Sequence, residues 1–148
     1  MARLAEAAYG VYRSRLGGMA PPAMRPDFAG FQRAGNAWVA TIEGLLAGYV
    51  LAGPGDADQP GDPGPEVWVI DNIAVSPKTQ GQGLGRRLLA LAEGEGATRG
   101  FRRAYLLTNV VMTENQALYA RLGWRETDRR PRKGTTVIDY EKALPWPE

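Results

Sequence analysis

An α/β fold with a mixed, mostly antiparallel central sheet and flanking helices is what this sequence predicts, on three observations. Two hairpin patterns bracket the chain: Trp38 to Ile42 with Leu46 to Leu51, and Trp124 to Arg130 with Thr135 to Glu141. Between them stand an apolar run at Val67 to Val75, a helical run at Gly83 to Thr98 and a second apolar run at Ala104 to Val111. A strand, a helix and a strand in that order imply a parallel pair joined by a right-handed crossover. Finally, 148 residues of which 44% are hydrophobic suffice for one core, and no internal repeat divides them. A single domain over 1–148 is expected.

The elements follow in order. Residues 2–16 place Leu4, Ala8, Val11 and Tyr12 at helical spacing, and Gly17-Gly18 ends the run. A Pro-rich connector, Ala20 to Pro26, leads to a short helix at Asp27 to Ala34 with Phe28 and Phe31 as its apolar face. The first hairpin turns at Glu43-Gly44-Leu45. Gly53 to Pro65 is rich in Gly, Pro and Asp and is expected to be a surface loop, a spacer without further consequence. The next strand is apolar apart from Asp71 and Asn72 and closes at Pro77. In the helix after it, Leu84, Leu88 and Leu91 form one stripe, and Gly94 and Gly96 weaken the second half. Thr113 to Leu122 is a short helix with Thr113 and Gln116 placed as a capping box and Gly123 past its end. The last hairpin turns near Lys133-Gly134. Trp38, Trp68 and Trp124 are expected in the core.

Two absences narrow the chemistry. There is no cysteine and no histidine, so Ser-His-Asp and Cys-His systems, thiolate metal sites and imidazole metal sites are excluded, and no metal is expected. Proton transfer near neutral pH falls to a carboxylate, a tyrosine, a lysine, an amino terminus or water. A net charge of +2 from 18 basic and 16 acidic residues gives no footprint for nucleic acid. The basic run Arg121, Arg125, Arg129, Arg130, Arg132 and Lys133 reads as a solvated hairpin face, because strand alternation scatters it. No run of apolar residues is long enough to span a membrane and no secretory leader is evident, so a cytoplasmic protein is expected.

Chemistry concentrates at Gln80-Gly81-Gln82-Gly83-Leu84-Gly85, between a strand and a helix. Glycines there let the backbone approach a ligand and turn its N–H groups inward. The unpaired N–H groups of a first helical turn suit a phosphate or pyrophosphate, and Arg86 and Arg87 follow at once. Three glycines could equally serve tight strand–helix packing. The loop lacks the Lys-Ser/Thr of a P-loop, and its G-x-G-x-G spacing is not the G-x-G-x-x-G of a dinucleotide fold.

What the loop resembles is the acyl-CoA loop of the GNAT superfamily of N-acetyltransferases, [QR]-x-x-G-x-[GA], met by Gln80, Gly83 and Gly85. Ile73-Ala74-Val75-Ser76-Pro77 is similar to the family's strand into that loop. Asn115 to Trp124 resembles, in looser spacing, its second signature, and the two signatures span Ile73 to Trp124. Members usually begin with a short strand before the first helix; here the chain starts almost inside that helix.

The resemblance implies a GNAT-like fold with a splayed parallel strand pair, acetyl-CoA as co-substrate, and direct attack by a primary amine of a small molecule or protein. It assigns cofactor contacts to Ile73, Ala74 and Val75, to Gln80, Gly81, Gln82, Gly83, Leu84, Gly85 and Arg86, and to Asn115 and Tyr119. Asn115, Tyr119 and Leu122 share a helix face, and the family gives Tyr119 the role of protonating the departing thiolate. Tyr119 as a core aromatic and Asn115 as a helix cap are the plain alternatives. Asp71 alternates onto the face of Ile73, where partial desolvation would raise its pKa and suit a general base. It could equally satisfy backbone or an arginine; Glu114, Glu66 or a water chain are substitutes. A non-catalytic acyl-CoA-binding module and, further off, a nucleotide-binding protein are the other functional classes. A monomer or homodimer is expected.

Overall fold

The computed structural model describes residues 1–9, 27–58 and 61–145. Among the described residues there are four α-helices, α1 (Ala2–Tyr9), α2 (Phe28–Arg33), α3 (Leu84–Thr98) and α4 (Thr113–Arg121), and six strands. The strands are β1 (Ala37–Ile42), β2 (Leu45–Pro54), β3 (Trp68–Val75), β4 (Arg103–Asn109), β5 (Arg125–Arg132) and β6 (Thr135–Ala143). Their hydrogen-bonded order is β1-β2-β3-β4-β6-β5, with one parallel pair, β3 with β4. The fold is the expected α/β type with a mixed sheet. The chain forms two compact units: Met1–Gly53 with Ile70–Glu95, and Pro54–Val69 with Gly96–Glu148.

In the first unit, Leu4, Ala5 and Ala8 bury one side of α1, while Val11, Tyr12, Gly17-Gly18 and the Ala20 to Pro26 connector lie outside the described residues. Asp27 caps α2, its carboxylate accepting the Gly30 N–H at 3.0 Å. Two residues, Glu43 and Gly44, close the β1–β2 hairpin, both with positive φ (52° and 78°), the twist that a two-residue turn needs. Leu45 therefore begins β2 and is not part of the turn. Ala47 to Gly53 of β2 are all buried, as the continuous apolar run requires. Helix α3 packs closely on this strand at Gly48, where a methyl group would lie 2.9 Å from Leu88 Cδ1 and 3.0 Å from the Ala74 carbonyl. The leucine stripe of α3 is rotated from the expected one: Leu88, Leu89 and Ala92 are buried, whereas Leu91 is 43% exposed.

In the second unit, β3 and β4 run parallel, with Trp68 opposite Ala104 and Val69 opposite Tyr105. Gly96 has a packing role: a methyl group on it would lie 2.6 Å from Cγ and Cδ1 of the fully buried Trp68. Arg99 lies 5.1 Å from the same ring and Phe101 packs at 5.2 Å. Strand β4 stops at Asn109, not Val111, because the Asn109 carboxamide accepts the Val111 N–H at 3.1 Å and folds the chain back.

Helix α4 starts one position earlier than a capping box requires. Met112 is the N-cap, Thr113 makes no side-chain cap, and Gln116 Nε2 donates to the Val110 carbonyl at 2.8 Å. Its C-terminus is a Schellman motif: the Gly123 N–H (φ 86°) donates to Ala120 O at 3.3 Å and the Trp124 N–H to Tyr119 O at 3.0 Å. Lys133 and Gly134 close the last hairpin with positive φ, 49° and 80°. Trp124 is buried like Trp68, and Trp38, in the first unit, is half-buried.

Candidate active site

The glycine loop belongs to the first unit. After β3 the chain makes one 3-10 turn, Pro77–Thr79, and enters α3 through Gln80 to Gly83. Gly81 and Gly83 take φ of 84° and 78°, a region that side chains avoid, and a methyl group on either would meet nothing within 4 Å. These two glycines answer to backbone conformation over an open surface. Gly85 is different: it sits in the first turn of α3 with no positive φ, and a methyl group there would touch Val75 at an ordinary 3.5 Å. The Arg87 N–H donates to Gly83 O at 3.1 Å, so Gly83 opens the helix and the N–H groups of Leu84, Gly85 and Arg86 have no acceptor within it. Gln82, Arg86 and Arg87 are exposed and Leu84 is half-buried. The Gln80 side chain turns back, Nε2 donating to the Val75 carbonyl at 3.3 Å. Gln82, Leu84 and Arg87 also line, with Val39 to Ile42 of β1, an open groove of about 560 Å³.

Upstream, β3 alternates as expected. Ile70, Asn72 and Ala74 are buried; Ile73 and Val75 are half-buried on the other face with Asp71. The Asp71 carboxylate is exposed rather than partly desolvated, because the pleat turns it outward, so burial does not support its choice as a base. The buried polar residue is its neighbour: Asn72 Oδ1 accepts the hydroxyl of the fully buried Tyr49 at 2.5 Å. Burial, and then the Asp71 charge, push the Tyr49 hydroxyl well above the ordinary tyrosine range.

The second unit holds Asn115 and Tyr119. Tyr119 is 6% exposed, its ring 5.5 Å from Tyr140 and 6.4 Å from Trp124, so the aromatic packing of the plain alternative is real. Asn115 is half-buried, with Nδ2 3.6 Å from Met112 Sδ. Glu114 and Glu66 are exposed.

A further network escaped the sequence. Asp139, 7% exposed on β6, accepts from the Tyr105 hydroxyl of β4 and from Arg130 Nε of β5 at 2.8 Å. Arg130 Nη2 reaches Asp139 Oδ1 at 3.2 Å, the Tyr105 oxygen at 3.1 Å and the Gly61 carbonyl at 3.3 Å. Arg130 is thus half-buried, whereas Arg121, Arg125, Arg129, Arg132 and Lys133 are exposed as expected, Arg129 pairing with Glu126 at the surface. Burial first, and the Asp139 hydrogen bond second, raise the Tyr105 hydroxyl above its usual range; the Asp139 hydrogen bond raises Arg130. The Gly53 to Pro65 stretch is an anchored surface loop: Arg130 holds its Gly61, and Asp62 Oδ1 accepts the N–H groups of Asp56 (2.7 Å) and Gly64 (2.9 Å). The sequence signal was Asp139, a lone acid in the apolar run Val137 to Tyr140; β5 is polar throughout and could not show which arginine lies opposite it.

Among the described residues no helix is long and apolar enough to cross a membrane. Over 127 residues the chain is 28% identical to YjgM, an uncharacterized N-acetyltransferase of Escherichia coli (strain K12), covering 85% of this chain and 73% of that protein. It is 36% identical over 91 residues to a mycothiol acetyltransferase of Cellulomonas flavigena, which covers 60% of this chain but only 26% of the relative's length. The fold is similar to a GNAT family acetyltransferase from Elizabethkingia anophelis solved with acetyl-CoA bound, with a TM-score of 0.62 at 22% identity over 80% of this chain and 84% of that one. Residues 5–124 match the sequence model of the Acetyltransferase (GNAT) family, which takes in both the glycine loop and α4. The chain belongs to the GNAT family and is an N-acetyltransferase.

Proposed function

We propose that the chain transfers an acetyl group from acetyl-CoA to a primary amine of a small molecule or protein by direct attack. The observation that carries this reading is the pair of left-handed glycines, Gly81 and Gly83, opening α3 over a surface with no side chain in the way. Backbone N–H groups and a helix N-terminus placed like that fit the pyrophosphate of coenzyme A. Gln80 to Arg86 then hold the phosphates, and the backbone of Ile73, Ala74 and Val75 meets the pantetheine arm. Asn115 contacts the cofactor from α4.

Acetyl-CoA, when bound, supplies an activated thioester carbonyl. The nitrogen lone pair of the amine forms the C–N bond as the C–S bond breaks. Tyr119 gives its hydroxyl proton to the leaving sulfur. The proton lost by the amine goes to Asp71, directly or through water, acting as an exposed carboxylate. No protein nucleophile is needed, in keeping with a chain lacking cysteine and histidine.

Thermal shift separates this reading from a nucleotide-binding one, since a ligand that binds only the folded state raises the melting temperature. Acetyl-CoA is expected to stabilise the chain and ATP and NAD to leave it unchanged; the reverse pattern would overturn the proposal. An amine panel followed by release of free CoA then identifies the acceptor.

A further inference from the structure

Left-handed glycines permit the shape of the phosphate loop but do not hold it, since glycine gives up more conformational freedom on ordering than any other residue. Something adjacent must fix the loop, and the structure shows what. Strand β2 carries one extra residue against β1: Ala40 pairs with Gly48, but Thr41 pairs with Leu46, so Ala47 is bulged out of register. The Ala47 carbonyl accepts the N–H of Ser76, the residue directly after β3, at 2.8 Å.

Thr79, the last residue of the 3-10 turn, addresses the same carbonyl. Its Oγ1 lies 3.1 Å from Ser76 O and 3.4 Å from Ala47 O, and its N–H donates to Ser76 O at 2.9 Å. A hydroxyl has one hydrogen, so the two carbonyls share it, with Ser76 the nearer acceptor. Pro77 sets φ at the start of the turn. Two residues after Thr79 comes Gly81, the first left-handed position.

We propose that Thr79 is a positioning residue for the phosphate loop: its hydroxyl, shared between the Ser76 and Ala47 carbonyls, fixes the Pro77–Thr79 turn beside the Ala47 bulge, so that the amides from Gly81 to Arg86 are already gathered when the pyrophosphate of acetyl-CoA arrives. This rests on reading that loop as the pyrophosphate site. The Ser76 to Ala47 bond is made by backbone alone and survives any change at Thr79, so substitution isolates the hydroxyl.

The test compares acetyl-CoA dissociation constants by calorimetry for the unaltered chain, Thr79→Val and Thr79→Ser, with the melting temperature of each. Valine keeps the shape and loses the hydroxyl; serine keeps the hydroxyl and loses the methyl. Loss of one hydrogen bond of ordinary worth predicts roughly three- to tenfold weaker binding for Thr79→Val. Thr79→Ser is expected to bind as the unaltered chain does. Unchanged affinity in the valine variant, or equal losses in both, would overturn the assignment. Thr79→Ala gives the same comparison with serine if the valine variant does not fold. Failure of the unaltered chain to bind acetyl-CoA would instead overturn the reading of the loop itself.

Discussion

On the proposed reading Tyr119 is a side chain that acts, and others in its unit only hold the fold. Replacing Tyr119 by Phe keeps the buried ring against Trp124 and Tyr140 and removes only the hydroxyl. If that hydroxyl is the acid, kcat should fall by about 10² or more, the lower range for a positioned proton donor. The acetyl-CoA dissociation constant should barely move. Steady-state kinetics beside a direct binding measurement check both halves. Asp139 belongs to the holding class. Asp139→Ala strips the Tyr105 hydroxyl and half-buried Arg130 of their shared acceptor and loosens the grip on Gly61. A stability loss of about 1–3 kcal/mol is expected, seen as a fall in denaturant midpoint. Tyr119 was singled out because helical spacing put it on one face with Asn115 and a motif surrounded it. Arg130 was not: alternation along β5 tells which way a side chain points and nothing of the strand opposite.

Elements were legible where local chemistry decides them. Glu43-Gly44 and Lys133-Gly134 each close a two-residue hairpin with positive φ, and Gly123 ends α4 as its position foretold. They were less so where packing decides. Leu91 fits the helical stripe by spacing yet stands exposed, since α3 turns Leu88, Leu89 and Ala92 inward instead. Gly96 reads as a weak helix residue, and its use appears only once Trp68 lies against it. The two views predict opposite signs. Helix propensity alone says Gly96→Ala gains up to about 1 kcal/mol. Contact at 2.6 Å with Trp68 says the variant loses, by about 1–3 kcal/mol, because a packed ring cannot retreat from an added methyl. Thermal melting of Gly96→Ala should therefore fall below that of the unaltered chain, while Gly94→Ala, with open space around it, should not fall.

For the molecule as a whole, tyrosines set the alkaline limit. Burial is the largest cause raising Tyr49, Tyr105 and Tyr140, so each holds its proton more tightly folded than unfolded. Their contribution is fully present below the unfolded tyrosine pKa of about 10 and is lost as pH rises toward the folded values. Melting temperatures should hold steady from neutral pH to about pH 9.5 and decline above it, and Tyr105→Phe should flatten that decline. Fold class, and the place of the glycine loop between β3 and α3, were thus readable from one sequence; the second-unit network was not, because it joins three strands and a loop. The chain passes between its two units at Gly53/Pro54, at Val69/Ile70 and at Glu95/Gly96. A single genetic crossover at any one of these junctions cannot exchange either unit intact, since each is encoded in two separated stretches. Exchanging either unit whole between relatives by shuffling gene segments would need all three breakpoints at once, whereas point changes within either unit carry no such constraint.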